Sequence, residues 1–136
     1  MKSALLSLAG LLLGSLTIFT IEQLGHILVK APEGFDLSTK KGLIEAMPFM
    51  GMWHFMVPFL GHAIGTFVGA YFVCKLKVDQ PLIKSMAIGF AFLAGGVLMV
   101  VMLPQTPLWF ILLDLIVAYL PMAYLGYKLG TRKSIQ

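Results

Sequence analysis

The sequence predicts an all-α, polytopic membrane protein: an antiparallel bundle of four transmembrane helices forming a single transmembrane domain, with both termini cytoplasmic. Three observations carry this. Hydrophobic residues make up 59% of the 136 residues and charged residues only 12%, where a soluble domain is nearer half apolar and a quarter charged. Mean hydropathy is +0.91. The apolar residues fall into four runs, each about the 20 residues that a helix needs to cross a hydrocarbon core of about 30 Å.

The first run, 4–29, follows Lys2 and opens on a leucine-rich stretch resembling the core of a signal peptide. The apolar character continues too far and no Ala-x-Ala site follows, so a retained helix is expected. The second run covers 49–74, the third 85–103 and the fourth 108–129. Short links at 75–81 and 104–107 make the last three helices antiparallel neighbours. The longer loop, 30–48, opens on the Pro32-Glu33-Gly34 turn. Asp36 or Ser38 could cap a short amphipathic helix over 39–47, with Leu43, Ile44 and Met47 on its apolar face.

Charge sets the orientation. Lys2, Lys75, Lys77, Lys84, Lys128, Arg132 and Lys133 share one side, against Lys30, Lys40 and Lys41 on the other. The positive-inside rule puts the first group in the cytoplasm. It also accounts for the net charge of +4 without nucleic acid, for which the basic clusters are too short and scattered. The lone Cys74 excludes an internal disulfide and a cysteine-built zinc site. With no asparagine, the chain has no N-glycosylation acceptor.

On the second helix, His54, Pro58, Gly61, His62, Gly65 and Gly69 fall within one arc, opposite Trp53, Leu60, Ile64 and Phe67. Small and polar residues on one side and large apolar ones on the other suit a helix facing protein and lipid respectively. The small face of the third helix, Ala87, Ala91, Ala94 and Gly95, is the expected partner of the Gly61–Gly65–Gly69 seam. A Gly-xxx-Gly pattern also serves homodimers, but packing within the bundle is preferred here.

Five ionisable residues fall inside the predicted spans: Glu22, His26, His54, His62 and Asp114. A buried acid costs roughly 2.5–3.5 kcal/mol to insert, so each calls for a partner, a proton or water. Glu22 and His26 share a helix face, and rise per residue puts four of the five in the outer half of the bilayer. They are expected to form an outward-facing polar pocket with His26 at its mouth.

Three readings suit that pocket. Imidazoles with carboxylates ligate divalent ions such as zinc. The same groups exchange protons when brought together. They can also pair simply to hold helices together, as Glu22 with His54 or Asp114 with His62. Binding of a proton or a small or divalent cation is the expected function. The alternatives are an accessory or scaffold subunit of a larger membrane complex and, third, an intramembrane enzyme acting on a lipid or outer-face substrate. No nucleophile elbow, zinc-protease helix or phosphate loop supports the enzyme. Haem ligation by histidines at unequal depths fits poorly. Little polar character continues into the inner half, which argues against a complete transport path.

Residues Glu22-Gln23-Leu24-Gly25-His26, Pro32-Glu33-Gly34, Gly61 to Gly69, Leu103-Pro104, Trp109-Phe110 and Asp114-Leu115 resemble a group of small four-helix bacterial membrane proteins without a known activity. The resemblance spans nearly the whole chain and implies the bacterial inner membrane, but it transfers no catalytic residue. Small multidrug transporters and fluoride channels are similar in length and helix count. However, Gly65-Thr66-Phe67 lacks the asparagine of the channel motif, and the charge bias opposes dual insertion.

Overall fold

The computed structural model describes residues 2–132; Lys133, part of the charge count above, lies outside the described residues. Helix α1 spans Lys2–Leu28 and a short α2 spans Lys40–Ala46, followed by a 3-10 turn at Met47–Phe49. The long α3 spans Met52–Lys75 and α4 Pro81–Met102. The last span, Leu108–Gly130, consists of α5 (Leu108–Leu113), a π-helical turn (Asp114–Ala118) and α6 (Leu120–Gly130). The four long helices form an antiparallel bundle and are long and apolar enough to cross a membrane. The chain is therefore a small multi-pass membrane protein.

Helix α3 is the hub, packing against α1, α4 and α6. Its glycines explain how. A Cβ on Gly65 would stand 2.7 Å from the Gly14 carbonyl oxygen, and one on Gly69 would stand 2.6 Å from that of Gly10. The seam thus receives α1, backbone against backbone, rather than α4 as the sequence suggested. The expected partner face of α4 looks outward: Ala87, Ala91 and Ala94 are exposed and Gly95 has open space around it. Glycine spacing alone identifies a close approach but not the helix that makes it, and Gly10 and Gly14 on α1 supply a matching spacing of four.

Lipid-facing surface is plentiful. Leu5, Leu12, Phe19, Trp53, Phe90 and Ile116 are exposed although large and apolar, which is what a bilayer solvent selects. Helix α1 is the least enclosed span. Its Thr17 and Thr20 hydroxyls donate to the Leu13 and Leu16 carbonyls one turn back, at 2.9 and 2.8 Å, so neither presents an unmet donor to hydrocarbon.

The loop between α1 and α3 folds over the bundle end. Its cap differs from the expected Asp36 or Ser38: Thr39 Oγ1 accepts from Gly42 N–H at 3.1 Å at the start of α2. Asp36 instead closes a local turn, its Oδ1 accepting from the Ser38 backbone N–H at 3.0 Å and hydroxyl at 2.6 Å. Those bonds favour the carboxylate and hold Asp36 below the ordinary aspartate range. Gly42 is buried against the Asp36 carbonyl, which leaves no room for a side chain where α2 meets this turn.

Candidate functional site

The bundle encloses a cavity of about 610 Å³ at the end that carries the loop. Glu22, Gly25, His26 and, just past the end of α1, Val29 line one side of it, and Gly96, Met99, Val100 and, just past the end of α4, Leu103 another. Both sets follow the i, i+3, i+4, i+7 pattern of one helix face. Leu43 and Met47, at and after α2, roof it. At its floor the structure brings together three of the five ionisable residues found in the sequence.

His62 is central. Its Nδ1 lies 2.8 Å from Asp114 Oδ1 and 3.0 Å from Oδ2. The Tyr119 hydroxyl donates to Asp114 Oδ2 at 2.8 Å and is 3.0 Å from His62 Nδ1. With the Tyr119 proton directed to Asp114, the remaining geometry assigns the His62 proton to Nδ1, donating to the same carboxylate. Nε2 is then left facing the cavity, 3.6 Å from Glu22 Oε1. That separation is too long for a direct hydrogen bond and short enough for one shared proton to draw the pair together.

Asp114 and Tyr119 are buried on a distorted stretch of backbone. Pro121 has no N–H for the Val117 carbonyl, and its ring would crowd that carbonyl in a regular helix. The chain widens into the π turn over Asp114–Ala118 and resumes α-geometry at Leu120. Five residues apart, Asp114 and Tyr119 would point about 140° apart on an α-helix; the wider turn aims both at His62. Tyr119 was absent from the expected site for that reason. The available signal was Pro121 two turns past an intramembrane acid, a placement that favours just such a bulge.

Tyr119 reaches its place because α4 carries Gly96. A Cβ there would stand 2.5 Å from the Tyr119 hydroxyl and 2.9 Å from Cζ, whereas one on the adjacent Gly95 would meet nothing within 4 Å. We expect Gly96→Ala to cost about 1–3 kcal/mol by overpacking and to displace the phenol from Asp114. Gly95→Ala should leave thermal unfolding in detergent unchanged. Equal unfolding midpoints for the two variants would show that Tyr119 does not depend on this gap.

The other two histidines line the cavity but do not join the floor. His26 is exposed at the rim. His54 serves the backbone: Gly51 N–H donates to its Nδ1 at 3.1 Å, and its Nε2–H donates to the Lys30 carbonyl at 2.9 Å. It therefore caps α3 and ties the end of α1 to it. Among the described residues, no group of three or more His, Cys, Asp or Glu is arranged to hold a metal ion. One turn beyond His62, the fully buried Thr66 has a hydroxyl with no hydrogen-bond partner.

Cys74, also buried, lies 3.0 Å from Ser85 Oγ at the far end of the bundle and belongs to the α3–α4 packing. Comparison of the chain with protein-family models, curated proteins and solved structures gives no match.

Proposed function

We propose that this protein binds a proton at the floor of the cavity, shared between His62 Nε2 and Glu22, with the cavity facing the outside of a bacterial inner membrane. The observation that carries the reading is the two-sided environment of one imidazole. Asp114 and Tyr119 fix His62 from one side and hold its ring in place, and the opposite nitrogen meets a second carboxylate across 3.6 Å. A protonated His62 would have a carboxylate at each nitrogen, whereas the neutral form leaves Glu22 facing a lone pair. Proton and Glu22–His62 geometry are therefore coupled. The proton is preferred to a divalent ion because Glu22 and Nε2 offer two ligands at the floor, short of the three protein donors usual for a catalytic zinc. The lysines and arginines crowded at the opposite end favour the outward orientation.

Nitrogen-15 NMR of the imidazoles in lipid nanodiscs tests this directly. His62 should change protonation at Nε2 with Nδ1 still hydrogen-bonded, and Glu22→Gln should move the midpoint. An Nε2 that does not titrate between about pH 4 and 9, or that titrates identically in Glu22→Gln, would overturn the reading.

A further inference from the structure

The floor occupies a small part of a large cavity, and a proton alone leaves the rest unexplained. About 610 Å³ lies within the range that encloses drug-sized ligands. The walls are apolar, and the acids Glu22, Asp36 and Asp114 line it with neither lysine nor arginine. Any fixed charge it offers a ligand is therefore negative, apart from what its histidines take up.

The cavity also has a side. At the end carrying the termini, α1 and α4 pack together, Gly14 against Phe92 and Gly10 against Ile88. Towards the loop end the cavity is walled by Val29, just past α1, and by Met99 and Val100 of α4 with Leu103 just past it. Met99 borders the cavity while half of its surface remains exposed. Met99 therefore extends from the cavity wall to the exposed surface of the bundle.

We infer that the cavity binds an amphipathic organic amine, entering between α1 and α4, with its ammonium group against Glu22 and its apolar body along Val29, Met99, Val100 and Leu103. Charge selects the head, since a carboxylate in an apolar cavity has few ways to be compensated and an ammonium ion supplies both charge and donors. Apolar walls select the body, and entry between the two helices would let a molecule dissolved in the bilayer reach the floor without leaving hydrocarbon. The inference rests on the same floor as the proton reading but uses Glu22 as a counter-ion.

Equilibrium binding of radiolabelled decylamine to the protein in phosphatidylcholine nanodiscs, corrected for empty nanodiscs, provides the test. Decanol and decanoate serve as neutral and anionic partners of equal chain length. Wild-type protein should bind about one decylamine per chain, at least tenfold more tightly than decanol, and should not bind decanoate. Glu22→Gln should erase the preference for the amine. Val100→Trp, which fills the wall, should weaken both amine and alcohol by tenfold or more. Equal affinity of wild-type protein for decylamine and decanol, or decylamine uptake no greater than in empty nanodiscs, would overturn the inference, and neither outcome depends on a variant folding. His62 titration in the same preparations separates the two readings. A normal titration without amine binding defeats this inference alone; amine selectivity without titration defeats the proton reading alone.

Discussion

Gly65→Ala is expected to lower the unfolding stability by about 1–3 kcal/mol, while Gly61→Ala, on the same helix and in the same seam, should be tolerated. The difference lies in what each new methyl meets. At Gly65 it would press on the Gly14 carbonyl at 2.7 Å and on Ile18 Cγ1 at 2.4 Å. A side chain such as Ile18 can rotate away, but a helix backbone can yield only by moving the whole of α1. At Gly61 the nearest atoms are 3.5 Å or more away, an ordinary contact. Since α1 is the span least enclosed by the rest, its seam with α3 is most of what holds it. Chemical unfolding in mixed micelles measures both variants, and equal stabilities would show that the close approach is not what binds α1.

Asp114→Leu should have the second large effect. It leaves the His62 Nδ1–H and the Tyr119 hydroxyl without their acceptor in a buried place, and each orphaned donor costs about 1–3 kcal/mol. Hydrogen bonds between membrane helices average only about 0.6 kcal/mol, because partners are found elsewhere when the helices separate. Here the larger figure applies, since the two donors come from different elements and share one carboxylate locked between α3 and α4. Asp114→Asn keeps the shape and one acceptor oxygen, so it should retain part of the stability while losing the charge opposite His62. A thermal midpoint for Asp114→Leu equal to that of wild type would remove Asp114 as the anchor of the site.

The spans and the loop helix were legible because they depend on length and local composition. Runs of about 20 apolar residues have few other uses; Leu43 and Met47 line the cavity, whereas Ile44, expected on the same apolar face, is not among the residues that do. The antiparallel bundle followed from the short links. Pairings across the bundle were harder to read. Gly65 fits against either Gly14 or Ala91 by spacing, and only the packed structure distinguishes them. Of the five ionisable residues, Glu22, His62 and Asp114 converge, while His54 turns to backbone groups at Lys30 and Gly51. Main-chain partners leave no trace in residue type. Tyr119 was hidden by a break in helical phase that Pro121 imposes, which a fixed 100° rotation cannot show.

The backbone contact of α1 on α3 can also be considered mechanically. Where two helices touch without side chains between them, they can rock about the contact, and Gly14 on Gly65 then acts as a fulcrum. Glu22 lies eight residues along that lever, about 12 Å from it. A rotation of about 4° would move its carboxylate by about 0.8 Å, enough to take the 3.6 Å gap to His62 down to hydrogen-bonding distance. Protonation at the floor and the tilt of α1 on α3 would thus be two readings of one angle.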